Sequence, residues 1–376
     1  MFSTYKDDDV TILLKDISGQ VKPLGTRERE QKIQSGTHYS EMLPLEYEPS
    51  AKYLEIYELA LKSYAGITAQ AVATASEKIW AQKGKEAVLV SLARAGTPIG
   101  ILMKRYLRKK YQTEIAHYTI SIIRGKGLDD NAMKYILARH SPNNIQFVDG
   151  WTGKGAIQRE LNQAVQSYAG VSPGLAVLSD PACISQNCGT HEDFLIPSSC
   201  LNSTVSGLLS RTFQRDDIIG PDDFHGAVFY RELMDKDLTY QFIDRVAAHF
   251  PVDILGKAGS TCAAGCENGI SIPATNENST NNVIDKTTTV RTGMDEAREI
   301  CQHFGIADIN LVKPSIGETT RVLLRRIPWK ILVYSLNDAK NLGHIYQLAA
   351  EKGVEVVQYP LQNYRACGLI KSLADN

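Results

Sequence analysis

Four apolar runs between residues 87 and 179 each end in a short polar loop, and a helix-like stretch follows the first three. The runs are Ala87 to Leu92, Ile115 to Ile123, Ile145 to Asp149 and Leu175 to Ser179. The helical stretches run to Tyr111, from Asp129 to His140 and from Ala156 to Tyr168, with Pro98 placed where a helix start tolerates its missing N–H. Short apolar strands alternating with helices imply a mostly parallel sheet joined by right-handed crossovers. Such sheets bind ligands outside the carboxyl ends of their strands. The loops carrying Arg94, Arg124, Asp149 and Asp180 fall on that edge.

The rest of the chain organises around this unit. Residues 1–45 read as an N-terminal extension with little periodicity, and 46–256 as the main domain, opened by a long helix from Pro49 to Lys83. Residues 257–292, rich in Ser, Thr, Asn and Gly, read as a linker or insert too poor in apolar residues to form a core. Residues 293–376 read as a second, smaller α/β unit with strands at Ile309 to Val312, Lys330 to Tyr334 and Val354 to Gln358.

Bulk composition narrows the function classes. Of 376 residues 43% are hydrophobic and 22% charged, with a net charge of -1, so no global field draws the chain to nucleic acid or a lipid surface. No apolar run reaches the ~20 residues that span a bilayer. The polar, acidic start is unlike a secretory signal, so the expected location is the cytoplasm. Nothing in the composition decides between a monomer and a homo-oligomer.

The third loop carries the clearest chemistry. Asp149 ends a strand, and Thr152-Gly153-Lys154-Gly155 opens a helix. A helix start gathers unpaired N–H groups and attracts phosphate, glycines allow close approach, and Lys154 adds a full positive charge. Asp149 is suited to accept hydrogen bonds from sugar hydroxyls. The run is neither a Walker A motif, because Gly155 follows Lys154, nor a dinucleotide fingerprint. The loops together suit transfer of a phosphoribosyl group from a phosphoribosyl-pyrophosphate-like molecule to a nitrogenous acceptor. In that reading Thr152 to Gly155 hold the 5′-phosphate and Asp149 orients the ribose. Arg94, Arg124 and a Mg²⁺ ion brought with the substrate stabilise the leaving pyrophosphate. No metal site of the protein's own is expected.

Val90 to Gly100 resembles the pyrophosphate loop of type I phosphoribosyltransferases, and Phe147 to Gly155 resembles their phosphoribosyl-pyrophosphate loop. The layout is similar to a bacterial family of phosphoribosyltransferase-like domains associated with stress and tellurite resistance, whose members are also labelled cysteine protease StiP. Gln34 to Pro44 and Leu201 to Arg211 strengthen that match, which covers roughly residues 30–255. The resemblance implies a sheet of phosphoribosyltransferase-like topology and adds Ala95, Gly96 and Thr97 to the phosphate-binding residues. The family pattern has a second acid where this chain has Gly150, which implies either a modified sugar or Asp180 in place of the missing acid. The tail around Val312 to Arg321 is similar to a pelota-type RNA-binding domain, which implies RNA contact through Lys313, Arg321 and Arg325.

Two other readings compete. The protease label calls for a thiol, a histidine and an orienting group. Cys183, Cys188 and Cys200 follow the fourth strand, with His191 and His225 as bases, although neither the papain nor the caspase signature surrounds any cysteine. The spacings of Cys183 with Cys188 and of Cys262 with Cys266 fall in the broad range for zinc, but scattered reduced thiols are the simpler reading of seven cysteines. The third reading is a non-catalytic nucleotide or RNA sensor using the same pocket.

Overall fold

The computed structural model describes residues 2–251 and 291–370. Cys262, Cys266 and nearly all of the expected linker lie outside the described residues. Six strands form the main sheet in the spatial order Thr11–Ile12, Ala116–Ile120, Val88–Leu92, Ile145–Val148, Leu175–Ser179, Asn187–Thr190. Every adjacent pair is parallel. The α/β class read from the sequence is therefore the observed one.

The strand residues divide by the two-residue period of a pleated strand. Leu89, Ala176 and Leu178 join the core beneath the helices Ala51–Lys83, Gly96–Tyr111 and Thr239–Ala247. Val88, Val90, Leu175 and Val177 face the other core, with Met133 and Ile136 from Asp130–Leu137 and Leu161 from Ala156–Ala164. Both faces are thus covered, which is why these strands read as continuous apolar runs. The apolar-poor start of the chain still joins this framework: Thr11–Ile12 pairs with the edge of the main sheet, and Lys15–Asp16 pairs with Gly226–Ala227.

Strand order reverses between Val88–Leu92 and Ile145–Val148, so the loops after these two strands meet at the switch point. Their approach is close: a Cβ on Gly96 would stand 2.3 Å from the Val148 carbonyl oxygen. A similar constraint acts at the far edge, where a Cβ on Gly189 would stand 2.4 Å from the Ala71 carbonyl oxygen of the long helix. That helix, Ala51–Lys83, starts at Ser50, whose side chain accepts from Tyr53 N, and stops at Gly84 in a positive-φ conformation (56°).

The smaller unit is a mixed four-stranded sheet in the order Val312–Pro314, Ala366–Ile370, Pro328–Val333, Glu355–Gln358, packed with helices Gly293–Phe304, Ile316–Arg325 and Ala339–Glu351. Ala366–Ile370 runs antiparallel to both neighbours and supplies the central strand that the sequence reading had not placed. Buried polar bonds fasten this unit to the first. Asp193 accepts from Ile316 N at 3.0 Å and from Arg365 N at 2.9 Å. Tyr364 donates to Gly153 O at 2.7 Å, and Arg325 donates to Cys200 O at 2.8 Å.

Candidate active site

Asp180 directly follows the strand Leu175–Ser179, and His191 directly follows its parallel neighbour Asn187–Thr190. The pairing of Val177 with Cys188 and of Ser179 with Thr190 brings both to the same carboxyl edge. Cys188 lies three residues before His191, and the imidazole folds back toward its thiol. Sγ is 3.6 Å from His191 Nε2 and 3.9 Å from Nδ1, so the sulfur sits beside the ring's nitrogen edge rather than in line with one nitrogen. Nδ1 is also 3.0 Å from Asp180 O and 3.4 Å from Asp180 Oδ2.

Each member is held differently. Asp180 is fully buried, and its carboxylate accepts from Thr152 Oγ1 at 2.5 Å, Ile184 N at 2.9 Å and Ser185 N at 2.8 Å. Burial pushes its pKa up, and these donors together with His191 oppose that rise. Cys188 is 2% exposed, and burial raises its thiol pKa against the pull of Lys78. Lys78 also donates to the Cys188 carbonyl at 2.9 Å, which fixes the strand to the long helix. The His191 side chain is 54% exposed and forms the solvent-facing side of the group. A thiol, an imidazole and a buried carboxylate in this order can pass one proton from sulfur to ring while the acid stabilises the resulting imidazolium.

The other cysteine and histidine choices are placed differently. Cys200 is completely buried, its pKa raised by burial to about 12, with Arg325 and Arg321 opposing. Cys183 is partly exposed and has a positive φ of 54°. Its Sγ lies 3.8 Å from Asn363 Nδ2, with burial and then Asp180 raising its pKa. The ring of His225 meets Ser121 Oγ at 2.9 Å, so its partner is a hydroxyl rather than a thiol.

The residues expected to hold phosphate lie at the switch point, but several are already occupied. Lys154 donates to the carbonyls of Ile309 and of Val312, the latter at 2.8 Å. Burial and then Lys313 lower its pKa to about 8. It acts as a strut to the smaller unit, because two carbonyls take two of its three hydrogens. Thr152 is bound to Asp180, and Gly153 O receives Tyr364. Gly155 is the left-handed residue (φ 75°) that precedes the helix Ala156–Ala164. Ala95 leads into the helix that Gly96 and Thr97 begin, and Thr97 Oγ1 bonds Thr119 Oγ1 at 2.6 Å within the sheet.

Asp149 receives the Gly150 N–H at 2.8 Å, and burial raises its pKa to about 7 against the opposing pull of Arg321. Arg94 donates to Leu209 O at 3.0 Å. The guanidinium groups of Arg124 and Arg211 lie over the Tyr39 ring at 5.5 and 4.6 Å. The three tail cations face the junction between the units. Arg321 pairs with Glu318 at 3.2 Å over the Trp151 ring, Arg325 bonds Cys200 O, and burial lowers the Lys313 pKa.

Residues 3–247 match the sequence model of the family described as tellurite-like stress resistance cysteine protease StiP. Residues 291–372 match the PELOTA RNA binding domain. The chain is 34% identical to "Cysteine protease StiP" of Acinetobacter baylyi over 388 residues, covering 98% of this chain and 94% of that protein. These matches overturn phosphoribosyl transfer as the main reading and favour the cysteine protease that the sequence offered as an alternative. The error has a physical origin. A glycine-rich strand-to-helix turn looks the same in sequence whether its lysine is free for phosphate or spent on backbone carbonyls, as Lys154 is. The Mg²⁺ enters only as a companion of the pyrophosphate in that reading. The chain belongs to the StiP family of tellurite-like stress resistance cysteine proteases.

Proposed function

We propose that the chain hydrolyses peptide bonds, with Cys188 as nucleophile, His191 as general base and then acid, and Asp180 as the orienting carboxylate. The observation that carries this reading is that one imidazole meets both other groups, with the Cys188 thiol 3.6 Å from His191 Nε2 and the Asp180 carboxylate 3.4 Å from Nδ1. His191 takes the thiol proton as sulfur attacks the peptide carbonyl carbon. It then returns that proton to the departing amine, leaving a thioester on Cys188. A water, deprotonated by the same imidazole, splits the thioester and restores the thiol. A neutral resting thiol, its pKa raised by burial, makes proton transfer part of the attack rather than a prior event. Contacts across the sheet edge are looser than bonds in a loaded site, as is usual before substrate binds.

The test is hydrolysis of fluorescein-labelled casein together with iodoacetamide labelling located by mass spectrometry. Cys188→Ser is expected to abolish hydrolysis, and His191→Ala to reduce it by about 10²–10⁴. Asp180→Asn is expected to reduce it with Cys188 still alkylated. Hydrolysis that survives Cys188→Ser but is lost in Cys183→Ser would move the nucleophile to Cys183 and overturn the assignment. The free state of Cys183, Cys188, Cys200, Cys301 and Cys367 supports a reducing compartment, and we place the activity in the cytoplasm. We also propose RNA contact through the smaller unit, supported by its match to an RNA-binding domain.

A further inference from the structure

The proton-relay cluster also has the composition of a metal site. Ligand atoms of Asp180, Cys188 and His191 all lie within 4.8 Å of one another, the one such set among the described residues. A tetrahedral Zn²⁺ with bonds of about 2.0–2.3 Å sets its ligands roughly 3.3–3.7 Å apart. Cys188 Sγ to His191 Nδ1 is 3.9 Å, and Nδ1 to Asp180 Oδ2 is 3.4 Å. Two of the three edges are therefore within a few tenths of an ångström of that spacing, and the sulfur-to-carboxylate edge lies within 4.8 Å.

The movement required falls on the part that is free to move. Asp180 is anchored by three hydrogen bonds, and Cys188 is fixed in a strand tied to Lys78, but His191 is 54% exposed at the strand end. The open side beyond His191 leaves room for a water as fourth ligand. A buried thiol, which resists becoming an isolated anion, becomes a stable thiolate when a dication neutralises it.

We propose that Asp180, Cys188 and His191 bind one Zn²⁺ ion reversibly, and that the bound ion holds Cys188 as a metal thiolate that cannot attack a carbonyl. Binding expels one proton, from the Cys188 thiol to solvent. His191 binds as the neutral imidazole through Nδ1, which gives up its contact with the Asp180 carbonyl and leaves the ring proton on Nε2, and Asp180 enters as the carboxylate. Two anionic ligands and one neutral ligand balance the dication. A thiolate and an imidazole select a borderline ion such as Zn²⁺ over Mg²⁺ or Ca²⁺, which prefer oxygen. The binding half stands on this geometry alone, and the block of hydrolysis rests on the cysteine-protease reading.

The full reduced chain is titrated with ZnCl₂ against a chromophoric chelator, and with Co²⁺ as a spectroscopic stand-in. One equivalent is expected, with a thiolate-to-cobalt charge-transfer band. Zn²⁺, but not Mg²⁺, should slow iodoacetamide labelling of Cys188 at least tenfold. Cys188→Ser should lose the band and Asp180→Asn should weaken binding at least tenfold, while Cys183→Ser keeps both. The cobalt spectrum of the unaltered chain reads thiolate ligation directly, so the test does not depend on the variants folding. A spectrum without that band, or a band lost in Cys183→Ser and kept in Cys188→Ser, overturns the site. Casein hydrolysis undiminished by saturating Zn²⁺ overturns the block. Stoichiometric zinc on Cys188 in a zinc-free protein that never cleaves casein upholds the site and refutes the protease reading instead.

Discussion

Replacing Asp193 by alanine tests what fastens the two units. Asp193 is 3% exposed, and its two oxygens take the Ile316 and Arg365 N–H groups. Ile316 opens the helix Ile316–Arg325, so the carboxylate also faces the positive end of that helix. Burial pushes the carboxyl pKa up to about 7, and the backbone donors of Arg365 and Ile316 oppose the rise. Removing the side chain leaves two buried donors unpaired, at about 1–3 kcal/mol each. Relaxation and water entry recover part of this, so a loss of about 2–4 kcal/mol is expected. Asp193→Asn keeps one accepting oxygen and should lose less. Urea unfolding followed by tryptophan fluorescence reads both units, because Trp80 lies in the larger one and Trp329 in the smaller. An Asp193→Ala protein within about 0.5 kcal/mol of the parent would refute the reasoning, since surface changes alone produce that much.

Two further outcomes follow from buried charge. His117 is buried against Ser91 Oγ at 2.7 Å and Asp9 O at 2.8 Å, and burial lowers its pKa from 6.5 to about 4. The unfolded chain then binds more protons between these values, so stability is complete above pH 6.5 and falls as the pH drops toward 4. The full swing is about 3 kcal/mol. His117→Gln should flatten that acid limb in thermal melts, leaving the share due to His344, whose pKa burial also lowers to about 4; an unchanged limb would count against it. For RNA, binding of a fluorescent single-stranded oligonucleotide should weaken with salt, and Lys313→Ala with Arg321→Ala should reduce the slope of log K against log salt by about 1–2. An unchanged slope would move the contact away from the junction.

The sequence was most legible where both sides of a strand are buried. Leu175 to Leu178 is an unbroken apolar run closed by Ser179, and the observed strand bounds are those read from the residues. Asn187–Thr190 was missed because Asn-Cys-Gly-Thr carries neither an apolar run nor β-branched density, yet it bears Cys188 and presents His191. Its strand character comes from pairing with the nearby Leu175–Ser179 and from the long helix, remote in sequence, lying against Gly189. The individual residues Asp180, Cys188 and His191 were all visible as candidates, whereas their grouping was not. A cysteine three residues before a histidine is a weak signal until the acid on the neighbouring strand is known to lie beside it. Ala366–Ile370 did carry an apolar signal that went unused.

The helix Ala51–Lys83 extends about 50 Å at 1.5 Å per residue. Near its start Tyr53 bonds the Leu324 carbonyl and Lys52 pairs with Glu351 at 3.1 Å, while near its end Lys78 and Gln82 hold the Cys188 carbonyl and Asn187. One rigid rod therefore takes its bearings from the smaller unit at one end and sets the strand of Cys188, the proposed nucleophile, at the other. The boundary drawn by two separate family matches is not a mechanical boundary. Cutting the chain there strips the rod of its footing, so the strand of Cys188 loses an anchor that lies beyond the cut.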